Sequence, residues 1–326
     1  MTRKFLMSVA ALAVAAGSIL STAARAADDV TLMLDWTPGG LAGAWYLGAK
    51  NGCFGDRGIN LTVERGYGGG DTVTKIAAGV APFGTADLSS IMLGKITAGA
   101  KVKAIMPIYS TSPVAVAVLA DSGIGKIADL EGKTIAHAPG DSGIKILPIA
   151  FGKSGADFAK VKVETVEAAT LSGLLIQGQV NAITTFVTTA MLINAAAQKA
   201  GKEVKTINFA SELGVYSNSL LASEDTIAKN PDLVARFKEA AICSFEAAKA
   251  DPDGAVEAMN AVVGGLDVAV HTGIAKAALP LVFEDAKFKA SGFGWNMDGV
   301  AATLDVAKQA QGVTTELTPA DFIYEK

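Results

Sequence analysis

The sequence predicts an α/β protein of two lobes joined by a hinge over a shared cleft, and three observations predict it. Short apolar runs alternate with amphipathic stretches, the change of period that marks repeated β-α units. The alternation restarts after an extended segment near residue 114, which gives a second set of units. A long helical tail follows residue 222 and needs a lobe to pack on. Size agrees: 326 residues, 50% of them hydrophobic, suit two lobes of roughly 100 to 200 residues each with ordinary cores. With 28 basic and 32 acidic residues and only 2 cysteines, the composition excludes a disordered chain, a disulfide mini-protein and a basic nucleic-acid binder.

In chain order, residues 30–36 read as the first strand and 42–51 as the helix after a Gly-rich turn. Strand 59–65, helix 71–79, strand 82–86, helix 89–98 and strand 102–108 complete the first set. Residues 114–120 read as an extended connection. The second set runs through a helix near 127–130, strand 134–138, helix 142–153, strand 161–166, helix 169–177, strand 182–186, helix 188–200 and strand 204–209. Residues 219–222 read as an extended return, Asp225 as the cap of a short turn, and 232–250 as a long amphipathic helix closed by Asp251-Pro252. Helices continue to residue 311. Hence the expected lobes are 27–115 with 217–326, and 116–216, linked by crossings near 112–118 and 214–221 that make a hinge.

Residues 1–26 read as a cleaved secretory signal: Arg3 and Lys4, an apolar run, then Ala24-Arg25-Ala26, with cleavage expected after Ala26. Its removal takes the formal charge from -4 to -7, since three basic groups and no acid are lost. No later segment is long and uninterrupted enough to span a membrane. Export places the protein in the periplasm or outside the cell, the periplasm being the expectation, and in that oxidising space Cys53 and Cys243 are either one disulfide or two buried thiols, the second reading being preferred. Two cysteines and the separated His137 and His271 leave a zinc site almost nothing to use, so no metal or cofactor is expected. Each histidine reads as structural or exposed.

Loops at the carboxyl ends of parallel strands collect ligands in open α/β sheets. Those loops begin here at Trp36, Gly66, Asp87 and Tyr109 and should face one cleft. In Asp35-Trp36-Thr37-Pro38-Gly39-Gly40 the indole of Trp36 suits stacking on a flat ligand, and Gly40 lets backbone N–H groups approach it. Tyr67, Gly69, Gly70 and Asp71 form a second glycine-rich opening onto a helix, a donor nest without the lysine of a phosphate loop. Asp87 and Ser89 follow the third strand and read as helix caps or polar selectivity groups. In the second lobe Asp141 and Ser142 open another helix, and Phe186 ends a strand among threonines. Tyr216 and Asn218, at the second crossing, read as ligand contacts or hinge locks. For each of these, a plain turn, cap or packed ring is the competing reading. No G-x-S-x-G or H-E-x-x-H motif is present, and neither cysteine neighbours a histidine, so no enzyme activity is expected.

Six segments carry a family resemblance: residues 34–54, Arg57-Gly58-Ile59-Asn60-Leu61, Gly68-Gly69-Gly70-Asp71, Ala77-Ala78-Gly79, Phe83-Gly84-Thr85-Ala86-Asp87 and Asp129-Leu130-Glu131-Gly132-Lys133-Thr134-Ile135. In this order they resemble the substrate-binding proteins of ABC importers that include thiamine-pyrimidine-precursor, nitrate, sulfonate and taurine receptors. The resemblance implies a type II periplasmic binding protein that closes on a small solute and serves an inner-membrane ABC permease, as a monomer. The Asp-Trp-Thr-Pro start is similar to the pyrimidine-precursor branch, although Gly39 and Ala42 stand where that branch carries an asparagine and a histidine. The expected solute is planar, heterocyclic or aromatic, like a pyrimidine precursor, and carries an acceptor or anionic group. Alternatives are an alkanesulfonate, nitrate or taurine-like anion, or a thiamine-precursor biosynthetic enzyme on the same fold.

Overall fold

The structure is a computed structural model that describes residues 27–141 and 143–325. The signal-peptide expectation for 1–26 and the site expectation for Ser142 therefore lie outside the described residues. The first part of the chain forms β1 (Asp28–Met33), α1 (Gly43–Lys50), β2 (Ile59–Glu64), α2 (Gly69–Ala77), β3 (Phe83–Asp87), α3 (Leu88–Ala98) and β4 (Val102–Pro107). The second comprises β5 (Val114–Leu119), β6 (Thr134–His137), α4 (Gly143–Lys153), β7 (Lys162–Thr165), α5 (Leu171–Ile176), β8 (Ala182–Phe186), α6 (Ala190–Lys199) and β9 (Val204–Ile207). The chain then returns through β10 (Asn218–Ser223) to α7 (Glu224–Lys229), α8 (Pro231–Ala250), α9 (Pro252–Val263), α10 (Val268–Phe283), α11 (Ala286–Ser291) and α12 (Met297–Gln311).

Two five-stranded sheets result, with orders β2-β1-β3-β10-β4 and β7-β6-β8-β5-β9. Their interior strands are buried on both faces and so read as unbroken apolar runs, as in Val-Ala-Val-Ala-Val-Leu of β5. The extended connection and extended return expected at 114–120 and 219–222 are in fact strands: β5 pairs antiparallel with β8 and β9, and β10 antiparallel with β3 and β4. Extended backbone is legible in the alternating valines of β5 and the apolar centre of β10, but the pairing partners are remote in sequence. The chain therefore crosses twice, each time into the interior of the other sheet.

Aromatic rings fill one face of the first sheet, where Phe83 stacks on Phe237 at 4.0 Å and Trp45 meets Phe245 edge-on at 5.1 Å. Cys53 and Cys243 form a disulfide with their Cα atoms 5.8 Å apart, so the preferred reading as two thiols is corrected: the packing of α1 on α8 brings the residues together. Local chemistry sets the helix ends. Pro231 opens α8, the Asp251 carboxylate accepts from Gly254 N–H at 2.8 Å to cap α9, and Asn296 caps α12. Ser223, not Asp225, caps α7. The last helix, α12, packs on both α3 and α4 and so bridges the lobes behind the cleft. No helix among the described residues is long and apolar enough to cross a membrane.

Candidate functional site

The strands' carboxyl ends in both sheets open onto one cavity of about 450 Å³, within the range of small-molecule sites. Its rims are close: the Gly140 carbonyl lies 4.0 Å from the Cβ position of Gly68, and Met191 Cε lies 3.7 Å from that of Gly273. Residues of the two lobes therefore enclose the space from opposite sides.

The first lobe supplies a linked acid pair. Asp35 follows β1, and its carboxylate accepts from Thr85 Oγ1 at 3.0 Å and from Asn218 Nδ2 at 2.7 Å. Thr85 Oγ1 in turn accepts the Asp35 N–H at 3.0 Å. Three strands thus converge on one carboxyl group. Asp87 ends β3 directly opposite Asn218 in the sheet register and accepts from the Ser217 hydroxyl. Burial raises the Asp35 carboxyl to about 7, and the nearby charge of Asp87 adds to the rise against the opposing hydrogen bonds. The same surroundings push the Tyr109 phenol up, through burial first and then the Asp35 and Asp87 charges.

The second lobe supplies a capped acid. Asp141 accepts from the Gly143 N–H at 2.6 Å and from the Thr184 hydroxyl, so the carboxylate closes the amino end of α4. Burial raises its proton affinity, with these bonds opposing, and the Asp87 charge across the cleft adds a smaller push. Phe186 and a row of hydroxyls on Thr185, Thr188 and Thr189 complete this wall. Among the described residues that line the cavity there is no lysine or arginine, and no three metal-ligating side chains come together to hold an ion.

Seven of the expected site residues line the cavity: Trp36, Gly40, Gly69, Asp87, Asp141, Phe186 and Asn218. Trp36 is 45% exposed there, although it is one of the largest apolar side chains in the protein. Five described ones do not line it. Tyr67 is 62% exposed and lies under Arg65 and Lys75, a cation–π arrangement outside the cleft. Gly70 and Asp71 sit on the turn beyond Gly69, and the Asp71 carboxylate pairs with Lys75 at 2.7 Å instead of capping α2. Ser89 and Tyr216 line a separate water-sized cavity of about 10 Å³ behind Asp87. Tyr216 is buried against the tail of the chain, where its hydroxyl accepts from Asn296 N–H at 2.8 Å and its ring meets Trp295 edge-on. Neither Asp87 nor Ser89 caps α3 through its side chain.

Residues missed at the sequence level are Asp35, Thr85, Tyr109 and His271. Asp35 and Tyr109 stood at loops already marked as cleft-facing, so position alone was available as a signal. Thr85 is an interior strand residue inside the Phe83–Asp87 family segment, which marked the strand and not this side chain, and His271 reaches the cavity from α10 with no local motif to announce it.

Comparison with known proteins places these features. The family described as NMT1/THI5 like matches residues 42–255. A riboflavin-binding protein, RibY, of Chloroflexus aurantiacus is 26% identical over 237 residues, which take in 70% of this chain and 65% of that protein. The chain thus spans less than two thirds of that relative's length. Among solved structures, the alkanesulfonate-binding protein SsuA from Xanthomonas axonopodis pv. citri bound to MOPS is similar with a TM-score of 0.70 at 16% identity, over 92% of this chain and 99% of that one. A Candida albicans protein described as having the generic periplasmic binding protein fold is similar with a TM-score of 0.66 at 13% identity, over 91% and 96%. With its two α/β lobes and shared cleft, the chain belongs to the NMT1/THI5-like family and has the periplasmic binding protein fold.

Proposed function

We propose that the protein is the solute receptor of an ABC import system. It works in the periplasm, closes its lobes on a small planar heterocycle that carries N–H or O–H donors, and delivers that solute unchanged to an inner-membrane permease. One observation carries the reading: a cavity of about 450 Å³ with aromatic rings and three carboxyl groups, and no lysine or arginine among its described lining residues. Acceptors without cations suit a neutral or cationic donor-rich ligand. Trp36 stacks on one face of the ligand and Phe186 packs on it from the other lobe, while Asp35, Asp87 and Asp141 accept its donors. Only the closed arrangement offers both lobes' contacts at once, so binding shifts the population toward closure.

The anion alternative meets an obstacle in the second lobe. The free N–H of Gly143 at the start of α4, where an anion would sit, is already taken by the chain's own Asp141. The riboflavin named for the relative from Chloroflexus supports a flat, N–H-bearing ligand; the sulfonate named for the structural neighbour accompanies a likeness of fold alone.

Thermal melting in the presence of riboflavin, cytosine, 4-aminopyrimidine, taurine, methanesulfonate and nitrate tests the reading. At least one heterocycle is expected to raise the melting temperature by several degrees at saturation and to be recovered with unaltered mass. Stabilisation by the anions alone would overturn the proposal, and conversion of a bound heterocycle would make the protein an enzyme.

A further inference from the structure

His271 takes no part in the stacking or carboxyl contacts, yet its ring lines the cavity from α10. Its Nδ1 accepts the Gly40 N–H at 3.2 Å. Accepting a proton donor requires a lone pair on Nδ1, so the single proton of the neutral imidazole resides on Nε2. Burial holds the ring below the ordinary histidine value, with Asp267 pulling weakly the other way, which keeps it neutral at pH 7. With Nδ1 engaged by the loop, Nε2–H is the ring's remaining polar group, and it has no protein partner among the described residues.

The loop facing this ring is shaped to admit it. Gly39 has an extended backbone, φ -175°, that any residue adopts, so conformation does not require glycine. Space does: a Cβ at Gly39 would lie 3.1 Å from His271 Cε1 and 3.2 Å from Nδ1. At Gly40 both conformation and space require glycine, because φ is +50° and a Cβ would fall 2.3 Å from Ile274 Cγ2. The two glycines after Trp36 thus bring the His271 face of α10 against the stacking loop.

We propose that His271 is a ligand-binding residue whose Nε2–H donates to an acceptor on the solute, a carbonyl oxygen or a ring nitrogen. This inference rests on the heterocycle-receptor reading and refines its substrate class. The ligand presents donors to the carboxyl groups and at least one acceptor to His271, so two edges of the ring system are read with opposite polarity.

Two variants separate this role from loop support, because an asparagine amide reproduces the position of Nδ1 and a glutamine amide that of Nε2. Calorimetric titration of wild type, His271→Asn and His271→Gln uses whichever of riboflavin, cytosine and 4-aminopyrimidine the wild type binds. His271→Asn is expected to lose at least about tenfold in affinity, roughly the worth of one good hydrogen bond left unmade, while His271→Gln retains more. The reverse order, or equal behaviour of the two variants, overturns the assignment. Wild type that binds none of the three overturns the receptor reading and the inference with it. If either variant melts below wild type, Gly39→Ala serves instead: it displaces the ring by a few tenths of an ångström without removing it. Reduced affinity then supports the role, and unchanged affinity overturns it.

Discussion

The two lobes share one strand plan and hold their cleft-facing acids differently. In each sheet the fourth strand in spatial order is antiparallel and arrives by a crossing from the other lobe. In the first lobe that strand, β10, delivers Asn218 to Asp35, which Thr85 of β3 also holds, so three sheet elements fix one carboxyl. In the second lobe β5 delivers no polar group to Asp141, which is held by the start of α4 and by Thr184 of β8. A carboxyl locked among strands is poorly placed to adapt, whereas one that caps a helix moves with that helix. Under the proposed receptor function, the first lobe is the rigid half of the site and the second the half that adjusts on closure.

The disulfide sharpens this contrast most, since it staples only the first lobe. Closing a loop of 190 residues is worth about 5 kcal/mol by the chain-entropy relation. The Cys53→Ala/Cys243→Ala double variant should therefore melt far lower, with hydrogen exchange accelerating in α1, α8 and β1–β3 before β5–β9. Equal acceleration in both lobes would break the contrast.

Asp35 offers the next largest effect. Its carboxyl is raised from 3.8 to about 7 in the folded protein, so the native state binds the extra proton between those values. Relative stabilisation is therefore whole below about pH 4 and lost as pH rises to about 7, an effect on the order of a few kcal/mol. Asp35→Asn should flatten the dependence of unfolding free energy on pH over that window. A profile as steep as wild type would assign the titration elsewhere.

Smaller still is the difference between the two aromatic walls. Trp36→Ala should weaken binding of a planar solute by about 1 kcal/mol or more, with little change in the melting temperature of the unliganded protein because the ring is 45% exposed. Phe186→Ala should weaken binding less, and mainly by raising the dissociation rate, as expected for a contact made only after closure. Equal losses with equal kinetics would remove the distinction between a rigid and an adjusting wall.

Much of this arrangement was legible in the chain. The run Ala182–Phe186 was read with its observed bounds, because a buried interior strand leaves an apolar run, whereas the helix expected near 127–130 is a single 3-10 turn, too short for its period to tell the two apart. The crossing strands were read as extended but not as paired, since period reports conformation and not partners. Within the site, residues at strand ends such as Trp36, Asp87 and Phe186 were found by topology. Tyr67 and Tyr216 were not separable from true lining residues, because an aromatic near a turn looks the same whether it faces a cavity, a cation or a packed neighbour. His271 was unreadable because α10 meets the Gly39-Gly40 loop across 231 residues of sequence.

Small-angle scattering of the protein with and without a bound heterocycle tests the central claim most directly. Capture between the lobes predicts a smaller radius of gyration at saturation, with the profile approaching that of the present structure, whose rims already lie close at Gly68–Gly140 and Met191–Gly273. A ligand that binds tightly and leaves the profile of an open, ligand-free protein unchanged would contradict it.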